Sequence, residues 1–334
     1  MSDIVNYYDS FESAQRLEEN GHLLHAAIEY WMCTQYGEHG EFPYMPDTSL
    51  EDKAYKRWMK IQSKLPYAQL SKTTFIKGCQ CPKALWLYRN KYKCRYVSNE
   101  IQRKFDTGHV VDELAQHLFP SGYDASHFPI LQMRLNALRG KTPLTVPSLP
   151  ARLRQGLWVY QTQEALARNE KDIYEAAFRH NDVFAALDIL HATDHGYEAY
   201  EVKSSYMVKD VYIHDCALQY YVMSHHIDLT DIFLVYPDEE YVKSLGVELI
   251  DLTLENCDVQ RLFIKKSILN EVLALQETIE AELKALQPIL KQQAEPKIDT
   301  GEQCTNPYSC EFHHYCTGTP IPYDDPWEFL WEFL

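Results

Sequence analysis

The chain has 334 residues, 46% hydrophobic and 24% charged, with a net charge of −16, which excludes both a disordered polymer and a uniformly basic coat for nucleic acid. No stretch approaches the roughly 18 uncharged apolar residues that cross a bilayer, and the N-terminus MSDIVNYYDS lacks the basic-then-apolar layout of a secretory signal. We therefore expect a cytoplasmic protein of one or two domains with no membrane segment.

Residues 1–65 are predicted to form an acidic helical extension. Apolar side chains recur at helical spacing from Phe11 to Leu17 and from Leu24 to Trp31. A stretch rich in Gly and Pro, GEHGEFPYMPDTS, interrupts this pattern before a further helix, LEDKAYKRWMKIQSK. The segment contains no obvious catalytic constellation, and we expect it to offer a surface for a protein partner.

The charge is distributed unevenly along the chain. Residues 66–160 carry 14 Lys and Arg against 5 Asp and Glu, whereas residues 161–334 carry 12 against 32. A basic segment within an acidic chain is expected where a protein grips a polyanion such as DNA. A solvated lysine-rich face explains the same pattern, so the charge alone does not decide between them.

Two helices are predicted between residues 81 and 119, CPKALWLYRNKY and NEIQRKFDTGHVVDELAQHLF. Aromatic side chains of the first, Trp86, Tyr88 and Tyr92, are candidates for guiding a nucleic acid strand. The second carries Asp112, whose carboxylate is either an oxygen ligand for a metal ion or a solvated helix acid.

The chain from DIYEAAF to YEVKSS alternates short apolar runs with turn signals, which predicts three strands in an antiparallel meander. A helix, VKDVYIHDCALQYYVMSHH, and a short strand, DIFLVYP, follow. Apolar positions recurring every three or four residues predict one long amphipathic helix from Leu262 to about Leu290, with Pro288 fraying its end. The predicted fold is therefore α/β, a mixed sheet with an antiparallel meander flanked by helices.

Two acidic side chains on neighbouring strands of the meander form the candidate catalytic centre. Asp188 lies in the second strand and Glu201 at the end of the third, so both can project toward one point. Such oxygen ligands bind Mg²⁺ or Mn²⁺, which polarises a phosphoryl oxygen and activates water. Lys203 shares a strand face with Glu201 and would orient that water or stabilise developing charge. The alternative is a structural Glu–Lys pair at a strand end.

Two further polar residues are weaker candidates for the same site. Gln219 lies on the helix that follows Lys203, where its amide would contact a substrate phosphate or the attacking water, or would merely cap the sheet face. Glu175 points toward or away from the site depending on a strand register that the sequence does not fix.

The nine cysteines are an odd number in a chain without a secretory signal, so a disulfide framework is not expected. Cys304, Cys310 and Cys316 are each six residues apart in a predicted loop. Three thiolates in one loop, with a fourth far upstream, can close a tetrahedral zinc site or hold an iron–sulfur cluster. Thiolate ligation alone does not separate the two.

Several motifs resemble, in this order, the RecB-like nucleases of the PD-(D/E)XK superfamily: SKTTFIKGCQCPKALWLY, FDTGHVVDELAQHLFP, IYEAAF, ALDIL, YEVKSS, HDCALQYYV and CTNPYSCEFHHYC. The likeness is greatest to the iron–sulfur branch that includes the CRISPR adaptation nuclease and the AddB helicase–nuclease subunit, and it covers about residues 70–320. It implies a restriction-endonuclease-like core within a domain of residues 66–320. The implied activity is that of a DNA nuclease. We expect an exonuclease that acts on single strands or DNA ends and serves in repair, CRISPR-type adaptation or phage defence.

By position, the resemblance implies that Asp188 and Glu201 bind the metal, that Lys203 is catalytic and that Gln219 belongs to the motif of the following helix. It also implies that four cysteines hold a [4Fe-4S] cluster that joins the two ends of the domain, namely Cys81, Cys304, Cys310 and Cys316. Iron–sulfur is preferred to zinc on this resemblance alone, and Cys79 is the alternative to Cys81.

The chain also departs from that family. Asp112 stands where many relatives have a histidine, so a carboxylate, which can also ligate Mg²⁺, replaces an imidazole, and residues 1–65 have no recognised counterpart. No Walker-type phosphate loop, and hence no helicase motor, is present in the sequence. The alternative is that the chain is a subunit of a larger complex that binds nucleic acid or protein without catalysis, with a cluster that holds its fold together. The apolar tail of residues 321–334, with its tandem WEFLWEFL, is predicted to dock a protein partner.

Overall fold

The computed structural model describes residues 7–39, 48–137 and 146–320. The predicted tail lies outside these residues, as do the docking and partner predictions attached to it. The chain forms two compact units, which we call the helical unit and the sheet unit. The described part of the helical unit is residues 7–39, 48–68, 124–137 and 146–170, and that of the sheet unit is residues 69–123 and 171–320.

The helices of the described residues are α1 (Tyr7–Glu19), α2 (Leu23–His39), α3 (Thr48–Gln62), α4 (Lys72–Gln80), α5 (Pro82–Asn90), α6 (Asn99–Gln116), α7 (Pro129–Ala137), α8 (Ala151–Ala167), α9 (Asp210–Met223), α10 (Glu239–Leu245), α11 (Val259–Leu262), α12 (Leu269–Ala274), α13 (Gln276–Lys291) and α14 (His313–Thr317). The strands are β1 (Leu70–Ser71), β2 (Tyr123–Asp124), β3 (Asp172–His180), β4 (Val183–Thr193), β5 (Gly196–Val202), β6 (Leu229–Pro237) and β7 (Phe263–Ser267). Among the helices of these ranges, none combines the length and the hydrophobicity needed to cross a membrane.

The helical unit is larger than the predicted extension of residues 1–65. Its first three helices agree with the predicted apolar spacing, but residues 124–170 also belong to this unit, whereas the sequence assigned them to one domain of residues 66–320. Leu153 and Leu157 of α8 share a buried core with Trp31 of α2. Helix α8, for which the sequence predicted no packing partner, thus contributes apolar side chains to the core of a second unit.

The sheet unit contains a mixed sheet with the strand order β2-β3-β4-β5-β6-β7, beside which β1 pairs with β4. Strands β3, β4 and β5 form the predicted antiparallel meander. Strand β6 is parallel to β5, and the connection between them contains α9, as a parallel crossover requires. The sheet is flanked by helices, so the α/β class predicted from the sequence is confirmed.

The predicted helix from Leu262 to Leu290 is wrong in its first part. Residues Phe263–Ser267 form β7, which pairs antiparallel with β6, and a helix resumes only at Leu269. The apolar repeat begins at Val272, so the residues before it have no helical pattern. They pair instead with β6, which would otherwise have an open edge. Pro288 lies inside α13 rather than at its end, one turn before the helix stops.

Strand β1 brings the start of α4 to the middle of the sheet. Leu70 pairs with Val183 in parallel, and α4 begins immediately afterwards at Lys72. Ser71 caps this helix, because its side chain accepts a hydrogen bond from the Thr74 backbone N–H while Thr74 Oγ1 accepts one from the Ser71 N–H. The cap fixes where α4 starts and therefore where the Lys72 side chain leaves the backbone.

Candidate functional site

Three acidic residues occupy neighbouring positions across β3, β4 and β5. The antiparallel register pairs Ile189 with Tyr200, so one position further it places Asp188 opposite Glu201. The same counting between β3 and β4 places Glu175 opposite Asp188. The structure therefore brings Asp188 and Glu201 together as predicted, and it adds Glu175 to their row.

Glu175 interrupts its strand in a way that marks this position as unusual. Its φ angle of +53° lies in the left-handed region, which non-glycine residues rarely adopt within a strand. Such backbone strain is concentrated at functional sites, where the surrounding structure holds it in place. No alternation pattern in the sequence could have indicated this conformation.

Glu201 is only 1% exposed, and both of its carboxylate oxygens are hydrogen-bonded. Oε1 accepts from Lys203 Nζ at 2.5 Å and from Lys72 Nζ at 2.7 Å, while Oε2 accepts from Gln219 Nε2 at 2.6 Å. A buried carboxylate is costly unless it is paired and hydrogen-bonded. The two ammonium groups and the amide supply that pairing.

Lys203 is held from two sides. Besides its contact with Glu201, its Nζ donates to Asp215 Oδ2 at 2.9 Å, and its side chain is 17% exposed. Asp215 comes from α9 and Glu201 from β5, so the ammonium lies between a helix and the sheet. This arrangement fixes the position of the predicted catalytic lysine.

Lys72 is the site residue that the sequence analysis missed. Its Nζ lies 3.8 Å from Asp215 Oδ2 as well as 2.7 Å from Glu201, and its side chain is 29% exposed. The capping motif at Ser71 could have predicted the start of a helix here. Nothing local, however, indicated that β1 would pair with β4 and carry this lysine to the site.

Two buried polar atoms at the site have no hydrogen-bond partner among the described residues: Asp215 Oδ1 and Gln219 Oε1. The amide nitrogen of Gln219 is fully used, because it donates to the Ala186 carbonyl at 3.0 Å as well as to Glu201. Leaving a buried acceptor unsatisfied costs about 1–3 kcal/mol. Unsatisfied acceptors beside a carboxylate row are suited to a bound cation, water or substrate group.

The pKa values of the carboxyl groups diverge. Burial, and after it the charge of Glu201, raises the pKa of Asp188 well above its usual range, and the same two causes raise the pKa of Asp112 to about 6. Burial also acts to raise the pKa of Glu201, but the ammonium groups of Lys203 and Lys72 outweigh it and hold that pKa at about 2. Several carboxyl groups thus lie close to two ammonium groups. Their oxygen atoms are suitable ligands for an additional divalent cation.

We expect Asp112→Asn to stabilise the protein at pH 7.5 by on the order of 2 kcal/mol when metal is chelated. Folding raises the pKa of Asp112 from 3.8 to about 6. The free energy of unfolding of the wild-type protein therefore falls as the pH rises between these two values. The amide does not ionise, so its advantage should be small near pH 4 and complete above about pH 6.5. Urea unfolding of both proteins in excess chelator at several pH values measures this difference in stability.

The matched control for this experiment is Asp106→Asn on the exposed side of the same helix, which should change stability little at any of these pH values. A stability gain of Asp112→Asn that is the same at pH 4 and pH 7.5 would contradict the assignment of Asp112 to the crowded carboxyl cluster.

The C-terminal loop brings three thiols beside Cys81. Burial, and to a smaller degree the neighbouring thiols of Cys304 and Cys81, raises the pKa of both Cys310 and Cys316. The four cysteines line one pocket whose apolar wall includes Ala84, Leu87 and Phe312. The structure thus assembles the predicted four-cysteine set.

Cys79, the alternative fourth cysteine, lies elsewhere. Its sulfur is grouped with ligand atoms of His214 and Glu282, all within 4.8 Å of one another. Cys81, two residues later, ends α4 in an extended conformation, which turns the chain before α5 and separates the two sulfurs. The geometry therefore favours Cys81 as the fourth member of the set.

The basic segment of residues 66–160 contributes lysines to internal ion pairs. Residues 66–160 are divided between the two units. Four lysines of the segment pair with carboxylates, in the contacts Lys72–Glu201, Lys77–Glu311, Lys83–Glu295 and Lys91–Glu295. At these four positions the ammonium group is paired with a carboxylate of the same unit.

Of the three aromatic residues predicted to guide a strand, Trp86 does not suit the role. It is 7% exposed, and its Nε1 donates to the Gln292 carbonyl at 2.9 Å. Tyr88 and Tyr92 pack edge to face with ring centroids 5.0 Å apart, and Tyr92 is exposed. Of the three side chains, Tyr92 is the most exposed, and the Arg95 guanidinium lies over its ring with Cζ 4.5 Å from the centroid.

Comparisons with protein families, with curated proteins and with solved structures find no match for this chain. Membership of the RecB-like nucleases therefore stays a prediction from the sequence motifs. The carboxylates, lysines and cysteines of the sheet unit are therefore the features of this chain that bear on its function.

Proposed function

We propose that the protein is a metal-dependent nuclease of the RecB-like PD-(D/E)XK type that hydrolyses phosphodiester bonds of DNA. The observation that carries this proposal is the cluster in which the half-buried Asp188 lies opposite the buried Glu201 on neighbouring strands, with Lys203 beside them. Burying this many ionisable groups costs folding free energy, which is expected where charged groups serve chemistry. A purely structural ion pair would need neither Asp188 nor Glu175 beside it.

The carboxylates would hold the metal ion. Asp188 and Glu201 provide oxygen ligands, and Asp112 is close enough for the charge of Glu201 to raise its pKa. A bound Mg²⁺ or Mn²⁺ would polarise the scissile phosphoryl group and lower the pKa of a coordinated water. Asp188 Oδ2 also accepts a hydrogen bond from the Val202 backbone N–H at 2.6 Å, which fixes the orientation of its carboxylate.

Lys203 would orient the attacking water or stabilise charge on the phosphate. Its ammonium remains protonated because, although burial acts to lower its pKa, the charges of Glu201 and Asp215 raise that pKa well above its usual value. It therefore acts as a hydrogen-bond donor and positive charge and does not serve as a base. Gln219 positions Glu201 through its amide nitrogen and leaves its oxygen available to a ligand.

The four cysteines would hold a [4Fe-4S] cluster with a structural role. Four thiolates suit either a zinc ion or a [4Fe-4S] cubane. The cubane is preferred because the sequence motifs resemble the iron–sulfur branch of the RecB-like nucleases.

A DNA cleavage assay tests the proposal. Full-length protein, purified without oxygen, is incubated with labelled single- and double-stranded DNA and with Mg²⁺, Mn²⁺ or excess chelator. We expect cleavage with either metal, no cleavage with chelator, and a loss of at least about 10³-fold in Asp188→Asn, which removes a metal ligand and keeps the side-chain shape. Asp194→Asn in the exposed β4–β5 turn is the matched control. Unchanged cleavage in Asp188→Asn would refute the assignment.

One observation favours the alternative, a silent subunit that binds nucleic acid or protein. Both oxygens of Glu201 already have protein partners, and Lys72 adds an ammonium that makes the cluster more nearly neutral without a metal. No cleavage with any metal, together with retained DNA binding and no calorimetric signal for Mn²⁺, would favour this function over the nuclease.

A further inference from the structure

Three helices of the sheet unit converge on a second group of metal-binding side chains, distinct from the carboxylate cluster and from the four cysteines. Cys79 lies near the end of α4, His214 in α9 and Glu282 in α13. One ligand atom from each lies within 4.8 Å of the other two. Within the described part of the chain this is the one group of three or more such residues with that spacing.

The packing of these helices explains why the three side chains meet. Gly78 precedes Cys79, and a Cβ atom at Gly78 would lie 2.8 Å from both Cδ atoms of Leu286. The absence of a side chain therefore lets α4 lie close against α13. Leu286 is one helical turn after Glu282, so the same close approach brings Cys79 to Glu282.

His214 is held in a defined orientation at the same place. Its Nε2 lies 2.6 Å from Glu282 Oε2, and its ring stacks on the buried Phe75 with centroids 5.4 Å apart. His214 is 20% exposed and Glu282 31%, so an ion could reach the group from solvent while the imidazole stays packed. A fixed ring lowers the entropy lost when a metal binds.

We propose that Cys79, His214 and Glu282 bind a single zinc ion. Thiolate, imidazole and carboxylate are all zinc ligands, with bonds of about 2.0–2.3 Å that place ligand atoms roughly 3.3–3.8 Å apart. To reach that spacing the carboxylate opens from its 2.6 Å contact with the imidazole, and the thiol starts no more than 4.8 Å from either of them. Three protein ligands leave the fourth tetrahedral position to water or to an added ligand.

Binding exchanges protons for the metal. The Cys79 thiol loses its proton to become a thiolate ligand, and the hydrogen bond between His214 and Glu282 is replaced by two bonds to zinc, so protons are released to solvent. The ion would join α4, which begins with Lys72, to α9, which carries Asp215 and Gln219. None of the three ligands takes part in the catalysis described above, so zinc binding here is independent of the proposed nuclease function.

The test is the metal content of full-length protein, measured by elemental analysis, and its affinity for zinc in a competition titration. We expect one bound zinc per chain in wild type, and an affinity at least about 100-fold lower in Cys79→Ser and in His214→Gln. Cys257→Ser, which changes a different single thiol, should retain zinc. Glu282→Gln keeps the surface side chain's size, so it should fold normally and bind zinc more weakly.

Two further measurements keep the result unambiguous. Co²⁺ added in place of zinc should give a thiolate-to-cobalt charge-transfer absorption that is absent in Cys79→Ser. Iron content should be the same in Cys79→Ser and wild type. Zinc that persists in Cys79→Ser and Glu282→Gln but disappears in Cys81→Ser would place the ion at the four cysteines and overturn the inference, as would wild-type protein that binds no zinc.

Discussion

Lys203→Met is expected to lower the rate of DNA cleavage by about 10³- to 10⁴-fold while leaving DNA binding nearly unchanged. The ammonium lies between Glu201 and Asp215, 2.5 and 2.9 Å from their oxygens, so its position is fixed before any substrate arrives. Removing a preorganised charge affects the transition state more than the ground state. Single-turnover cleavage with Mg²⁺ measures the rate, and a filter-binding titration measures affinity.

Lys72→Met is the matched comparison, because it removes an ammonium from the same Glu201 oxygen. We expect a smaller loss, about tenfold, because Lys72 is more exposed than Lys203 and lies farther from Asp215. Lys203→Arg keeps the charge and tests whether the compact ammonium is required. If Lys203→Met keeps more than a tenth of the wild-type rate, or loses no more than Lys72→Met, Lys203 is not the catalytic lysine.

The candidate site shows which parts of the molecule are encoded locally. Asp188, Glu201 and Lys203 could be predicted because one hairpin places them together, and a strand period of two decides which residues share a face. Gln219 could be predicted because it lies on the helix that comes next in the chain. Each of these predictions used residues within about 30 positions of one another, where a single turn and a single helix fix the geometry.

The parts that could not be predicted depend on pairing between distant segments. Lys72 reaches Glu201 only because β1 pairs with β4, a contact across more than 100 residues. The β7 strand exists because β6 would otherwise present an open edge, which no local period records. The positive φ of Glu175 and the transfer of residues 124–170 to the helical unit likewise follow from tertiary packing.

Cys81→Ser is expected to abolish most iron binding and to reduce the stability of the protein by on the order of 4 kcal/mol. Cys81 and Cys304 are about 220 positions apart, so a cluster held by both closes a very long loop and removes much of the freedom of the unfolded chain. Iron content, visible thiolate-to-iron absorption and denaturant unfolding under anaerobic conditions measure the effect.

Cys79→Ser is the sharpest control for that experiment, because it removes a thiol two residues away in the same sequence motif. Its sulfur lies beside His214 and Glu282, whereas Cys81 faces Cys310 and Cys316, so the variant should keep its iron and its colour. The opposite result, iron lost from Cys79→Ser and retained in Cys81→Ser, would exchange the roles of the two cysteines. Colourless wild-type protein with zinc bound at Cys81 would replace the cluster by a zinc site and leave the carboxylate chemistry untouched, because the two sites share no ligand.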